Sequence, residues 1–488
     1  MLIINAEIFT LGKRDLRIDN GLIVDIAHEL PRLKNSNVID AEGGCLLPGL
    51  HDHHLHLMSL AASMRSVFCG PPKIHSPRQL IALLQRTQPS DDGWIRGIAY
   101  HDSIGPNIDR HWLDQYAPDC PIKIQHRSGA AWIFNTQGLE KLGLKTSGLH
   151  KLSPLLPDSA AVEFELVLPD GIERDFNGEL TGRLFHMDQW LAERIPSTMP
   201  PLAAVSQMLA RYGVTGVTDA TPRNGPEEWN LILGAQQRGD LQQRVMMMGS
   251  DALNQKDTNK LLRGPLKVYL KEASLPEFTD LVNSIESAHQ MDRAVAFHCV
   301  TYTELIYALS CLAAAKGAEV DWGDRIEHAS ITDQPSLVLL AERGVTVVTQ
   351  PNFVSERGDQ YLKQVDAADI DNLYRGKSFL NAGIPLAAGT DAPFGNPDPW
   401  KAMRAAVQRS TNSDLVLGAD EALSPEQALS LFLGSASNPG GDRRLKIGGP
   451  ADLCLLDKPW SQVRENMDSE RVRATICCGR LIYELDAD

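Results

Sequence analysis

Apolar runs of strand length recur through the second half of the chain, each ended by a polar or turn-forming residue. They are Val214 to Asp219, Arg244 to Met248, Leu266 to Leu270, Val295 to Cys299, Arg325 to His328, Val345 to Gln350 and Leu386 to Asp391. Longer stretches with helical periodicity, such as Leu275 to His289 and Gln334 to Arg343, separate most of them. An earlier run, Cys45 to Leu50, brings the strands to eight. Strands alternating with helices in this way predict parallel β/α units and hence an α/β fold, a (β/α)8 barrel of the TIM type.

A barrel does not use up the chain, because 488 residues exceed the ~250 of a bare barrel. The stretch from Leu57 to Pro200 separates strands one and two, and structureless connections beyond ~15 residues are uncommon inside compact domains. It reads as an inserted α+β lobe over the barrel mouth, holding Trp94-Ile95-Arg96-Gly97, Pro121 to Gly129 and Asn177 to Gly182. Trp94 and Trp132 are expected to fill the core of that lobe. At the chain ends, Met1 to Ile26 alternates around the hairpin signal Asp19-Asn20-Gly21, and Ala451 to Leu456 and Val472 to Tyr483 read as further strands. The predicted division is 1–43 with 445–488, a barrel of 44–56 with 201–444, and a lobe of 57–200.

Charge narrows the partners. Lys and Arg number 47 against 62 Asp and Glu, a net charge of −15, which excludes nucleic acid and anionic membranes as partners that demand clustered basic residues. A small-molecule substrate fits, and a homodimer is a reasonable expectation for a soluble enzyme. Met1 to Glu7 carries no basic leader running into a long apolar stretch, and the apolar helical segment Leu305 to Ala315 is too short to span a bilayer. Cys45, Cys69, Cys120, Cys299, Cys311, Cys454, Cys477 and Cys478 form no C-x-x-C pair, so they read as free thiols in a reducing cytoplasm.

The candidate chemistry begins at Pro48-Gly49-Leu50-His51-Asp52-His53-His54-Leu55-His56. Imidazoles at i and i+2 leave a strand on one face, so His54 and His56 can chelate an ion. If Cys45-Leu46-Leu47 is the strand that ends at the Pro-Gly pair, they sit at its C-terminal mouth, where such barrels place their chemistry. Lys267, His298, His328 and Asp391 follow in order, at or near later strand ends. Neutral imidazoles with a carboxylate suit zinc or a similar divalent ion with a position left open to solvent. Glu327 should point away from His328 on its strand and form a structural ion pair, while Asp52 or His53 could orient an imidazole. Gln350-Pro351-Asn352 and Tyr374-Arg375 fall near the mouth and are candidates to touch substrate.

This ordered set resembles the metal-dependent amidohydrolase superfamily, and within it the branch that includes N-substituted formamide deformylases. The resemblance runs from the strand-rich opening to Pro450-Ala451-Asp452-Leu453-Cys454-Leu455-Leu456-Asp457. It implies two divalent metal ions, zinc by preference, with His54 and His56 on one, His298 and His328 on the other, and Lys267 bridging them as a carbamate. Asp391 would bind metal and shuttle the proton, so Asp391 and Lys267 are the implied catalytic residues. The implied reaction is hydrolysis of an amide, N-formyl or carbamate-like C–N bond by a hydroxide shared between the ions. It also implies that the chain ends combine into a small β-sandwich.

Two positions depart from the resemblance. Relatives commonly carry histidine where Ala130 follows Gly129, and glutamate where His186 follows Thr181-Gly182. These changes leave the ligand set intact and bear on which substrate is taken. The alternative chemistry is a one-metal deaminase of a heterocyclic amidine, which places a glutamate three residues after the strand-five histidine. Position 301 is threonine and the nearest glutamate is Glu304, which disfavours it.

Overall fold

The computed structural model describes residues 1–33, 37–71, 73–90, 92–105, 108–144, 169–187, 190–191, 193–195, 201–317 and 320–485. They divide into two compact units, 1–60 with 201–488 and 61–200.

The first unit opens with strands β1 (Leu2–Ile8), β2 (Gly12–Asp19), β3 (Leu22–Ala27), β4 (Val38–Asp40) and β5 (Cys45–Pro48), followed by β6 (Leu50–Leu55). The hairpin signal is realised: Asn20 and Gly21 both have positive φ, as the two-residue turn joining β2 to β3 requires.

The second unit, described by itself, holds a six-stranded sheet. Its strands are β7 (Val67–Phe68), β8 (Ile95–Tyr100), β9 (Ile122–His126), β10 (Ala131–Phe134), β11 (Ile172–Arg174) and β12 (Leu180–Phe185), in the order β11-β12-β10-β9-β8-β7. Helices Pro77–Arg86, Arg110–Tyr116 and Thr136–Lys141 start on Ser76, Asp109 and Asn135, whose side chains accept a first-turn N–H. Trp94 is buried against Phe134 and Trp132 packs on the same cluster, as core residues should. The expected far edge of the lobe, residue 200, lies outside the described residues.

The chain then returns to the first unit for β13 (Val214–Asp219), β14 (Arg244–Gly249), β15 (Leu261–Tyr269), β16 (Val295–Cys299), β17 (Arg325–His328), β18 (Thr346–Thr349) and β19 (Leu386–Ala388). These seven and β6 form one parallel sheet in chain order. Its ends are drawn together where Asp391 N–H donates to His54 O at 2.7 Å and His56 N–H to Ala392 O at 2.8 Å, so the barrel is nearly closed. Gly389 permits this: a Cβ there would lie 2.4 Å from the His54 nitrogen.

The last strands, β20 (Leu453–Leu456), β21 (Val472–Cys477) and β22 (Arg480–Glu484), join the opening ones in an eight-stranded sheet, β22-β21-β20-β5-β1-β2-β3 with β4 beside β1. Ile3, Ile8, Leu16, Leu46, Leu455 and Ile476 fill its core.

One strand assignment is corrected. Cys45 to Pro48 belongs to the terminal sheet, pairing with β1 and β20, and the first barrel strand is Leu50–Leu55. An apolar run is a poor guide here because β6 reads Leu-His-Asp-His-His-Leu, polar in sequence yet buried at every position. No helix among the described residues is long and apolar enough to cross a membrane.

Candidate metal centre

The six residues singled out in sequence come together at the C-terminal ends of barrel strands. His54 lies on β6 and His56 one residue past it, their ring centroids 5.5 Å apart. Asp391, three residues beyond β19, places Oδ1 3.5 Å from His54 Nε2 and 3.2 Å from His56 Nε2. On the facing strands, His298 Nδ1 of β16 and His328 Nε2 of β17 stand 3.0 Å apart, and the His328 ring lies 4.9 Å from that of His54. In the parallel register Tyr269 pairs with His298, so Lys267, two residues earlier on β15, shares that face. Its Nζ is buried and meets no hydrogen-bond partner among the described residues.

Two of these positions lie in the left-handed backbone region that non-glycine residues rarely adopt, His328 at φ 72° and Asp391 at φ 54°. The twist at His328 breaks the alternation of β17. Glu327 and His328 therefore both serve the site, where strict alternation would separate them. Such local strain is tolerated where surrounding contacts fix it, and it concentrates at functional sites.

Three of the candidate rings are each turned by a neighbour. Glu327 accepts a hydrogen bond from His54 Nδ1–H and is ion-paired with Arg325 Nε at 2.8 Å, so the expected ion pair exists and also orients a candidate ligand. His56 Nδ1 lies 2.9 Å from Thr221 Oγ1, and His328 Nδ1 donates to Gln350 Oε1 at 2.6 Å. The Glu327 and Gln350 oxygens accept from Nδ1 of His54 and His328, which leaves Nε2 of those two rings unprotonated and able to bind an ion. Gln350 thus orients a ring. Asp52 accepts from the His54 and Thr390 backbones and from the Thr390 hydroxyl, tying β6 to β19. His53 packs against His51, ring centroids 4.5 Å apart, and its ring nitrogens are buried without a hydrogen-bond partner among the described residues. Tyr374 is buried, its hydroxyl meeting Ser330 and Tyr361.

Burial governs the charges. It pushes His54 and His298 below the usual imidazole range and His328 down to about 3, so the rings are neutral donors. Burial opposes ionisation of Asp391, but His56, His54 and His328 around it hold the carboxyl well below its ordinary value. Glu327 is likewise buried and held low by Arg325, then Lys267 and His54. The Lys267 amine is brought down to about 8 by burial, against the attraction of Glu327.

This donor set fits divalent ions. Around an ion with bonds of ~2.0–2.2 Å to nitrogen and oxygen, tetrahedral donors stand about 3.3 Å apart. The separations of 3.2 and 3.5 Å about Asp391 Oδ1 and 3.0 Å between His298 and His328 bracket that spacing. Asp391 Oδ1, buried and without a hydrogen-bond donor among the described residues, is the orphaned acceptor such an ion would satisfy. Replacing Thr221 with Val, which keeps shape but removes the partner of His56 Nδ1, is expected to weaken metal binding by about tenfold. Competition against a chelator measures this, and unchanged affinity would remove Thr221 from the site.

A (β/α)8 barrel carrying neutral histidines, a lysine and an aspartate at its strand ends is the architecture of a metal-dependent hydrolase. The sequence pattern of the amidohydrolase family matches residues 37–483. An N-substituted formamide deformylase of Arthrobacter pascens is 24% identical over 549 aligned positions, which cover 99% of this chain and 98% of that protein. The crystal structure of an uncharacterized metal-dependent hydrolase from Pyrococcus horikoshii has a TM-score of 0.74 at 21% identity, covering 96% of this chain and 98% of its own. A guanine deaminase from C. acetobutylicum has a TM-score of 0.52 at 11% identity, covering 99% of each chain. The chain belongs to the amidohydrolase family and is a metal-dependent hydrolase.

Proposed function

We propose that this enzyme hydrolyses a non-peptide C–N bond of a small molecule, an amide, N-formyl or carbamate-like compound, with two divalent ions held by the six residues above. The observation that carries the reading is the meeting of His54, His56 and Asp391 with the His298–His328 pair and a buried, unpartnered Lys267. In this reading His54 and His56 hold one ion, His298 and His328 the other, and carboxylated Lys267 both. When bound, divalent ions make water acidic enough to ionise near neutrality and polarise a carbonyl oxygen.

The residues of the chain do the rest. Asp391, held ionised, accepts a proton from the attacking water as the C–O bond forms and then delivers it to the departing nitrogen as the C–N bond breaks. Glu327, Thr221 and Gln350 keep three imidazoles turned toward the reacting group, so no reorganisation is required of them. The deaminase alternative lacks its acid. The Glu304 carboxylate accepts backbone N–H groups from Glu272, Val300 and Thr301 and caps the helix Tyr302–Ala314, while Thr301 is that helix's N-cap.

Substrate choice, in the same proposal, is set by the unit 61–200. The two departures from the family pattern lie side by side in it: His186 N–H donates to Ala130 O at 2.8 Å. A paired change with the ligand set kept intact is what a shift of substrate within one chemistry would leave. Metal-loaded enzyme assayed on N-formyl amines, N-acyl amines, carbamates and aryl esters tests the class; turnover of none of the C–N substrates would overturn it. Ala130→His is expected to change relative rates among accepted amides about tenfold, or about 1.4 kcal/mol in differential transition-state binding, at constant metal content. An unchanged profile would move specificity elsewhere.

A further inference from the structure

A second group of donors converges at the opposite end of the barrel strands. Cys477 ends β21, and Cys478 and Gly479 make the two-residue turn into β22, with φ of 51° and 73°. Such turns favour Asn, Asp or Gly at both positions, so a cysteine here costs stability. Asp452 precedes β20, next to Leu453, which pairs with Ile476. That register puts Asp452 beside Cys477. One donor atom from each of Asp452, Cys477 and Cys478 lies within 4.8 Å of the other two.

The distances suit a shared ion better than a covalent bond. Sulfurs bound to one zinc-like ion at ~2.3 Å in tetrahedral geometry stand about 3.8 Å apart. Cys477 Sγ and Cys478 Sγ are 3.9 Å apart, far beyond the ~2.05 Å of a disulfide. Asp452 Oδ1 accepts the Cys478 N–H at 2.7 Å and Oδ2 accepts Arg244 Nε at 2.7 Å, which fixes the carboxylate while leaving each oxygen a lone pair. Cys477 is buried and Cys478 partly exposed, so an ion could enter from the Cys478 side and keep solvent as a fourth ligand.

We propose that Asp452, Cys477 and Cys478 form a binding site for a thiophilic divalent cation of the zinc or cadmium kind, separate from the histidine centre. Binding exchanges two thiol protons for one dication: two S–H bonds break, two S–metal bonds form, and two protons leave. The charges balance both before and after. Asp452 offsets Arg244 in the free form, and two thiolates then offset the ion. The charged groups facing the thiols are Asp452, Arg244 and Lys260. Cys477 Sγ lies 3.5 Å from Thr215 O and 3.4 Å from Gln242 O, and Arg244 begins β14. A bound ion would therefore clamp the β21–β22 hairpin to the foot of the barrel.

The test uses the full chain loaded with two zinc ions per chain to fill its histidine centre, unbound and thiol-held zinc being removed before cadmium is added. Cadmium is then added while near-ultraviolet sulfur-to-cadmium charge transfer, bound cadmium, proton release and thermal unfolding are followed. The expected result is one cadmium per chain with a sulfur charge-transfer band, two protons released and a raised Tm, with the hydrolytic rate unchanged. Cys478→Ser, at a partly exposed turn, is expected to fold and to lose the band. No band in the parent protein, or a band that survives in Cys478→Ser, would overturn the site. So would a Cys477–Cys478 disulfide in protein isolated under reducing conditions. Uptake at the histidine centre gives no sulfur band, so the two sites are read apart.

Discussion

Asp391→Asn is expected to retain most of the bound metal and to lose turnover by a factor of about 10²–10⁴, the usual contribution of a positioned general base and acid. The substitution is conservative for the fold. Residue 391 sits at φ 54°, where asparagine is at ease, and its backbone N–H still reaches His54 O. An amide oxygen can occupy the place of Oδ1, 3.2 and 3.5 Å from the two imidazole nitrogens, so a donor to metal remains. What is lost is the capacity to accept and return a proton. Steady-state rates on the best substrate of the panel, with elemental analysis of the same preparation, separate the two effects. Retained activity would take Asp391 out of the mechanism, and lost metal would make it chiefly a ligand.

Particular residues explain why much of this architecture was legible in the chain. Strands β13, β16 and β17 fall where their apolar runs begin and end. The helix Gln334–Arg343 is bounded as its residues dictate, by Asp333 as N-cap, Pro335 in the first turn and Gly344 in the left-handed conformation at its end. Two kinds of feature escaped. Strand β6 is polar because its side chains build the site, so hydrophobicity pointed to the neighbouring β5 instead. The apolar run from Leu386 predicts a strand to Asp391, whereas β19 stops at Ala388 and Asp391 turns left-handed beyond it. The partners of the imidazoles were out of reach for another reason. Glu327 is 273 positions from His54, and Thr221 is 165 from His56. Pairing of β13 with β6 brings Thr221 to His56, curling of the sheet brings Glu327 to His54, and no local pattern encodes either. Ordered candidate ligands can be found from strand ends; the groups that turn them require the register.

Lys267→Ala is expected to reduce metal content from about two ions per chain to about one or fewer and to abolish activity, because binding energy for the second ion comes from ligands that must be present and correctly ionised. Few states are open to a buried lysine at position 267. Its Nζ has no hydrogen-bond partner among the described residues, and an ammonium there would repel two cations. Burial already brings the amine down to about 8, so near that pH a large fraction is neutral and nucleophilic. A neutral amine adds carbon dioxide, losing one proton to give a carbamate, and this converts a repelling group into a two-oxygen anion that can hold both ions. Short carboxylic acids supplied with metal should then restore part of the binding and activity to Lys267→Ala, since they offer the missing oxygens in the cavity left by the side chain. Carbon-13 NMR of the native enzyme prepared in labelled bicarbonate gives the direct readout. An unmodified amine with both ions bound, or a Lys267→Ala protein that keeps both, would show that the ions are held without a bridge.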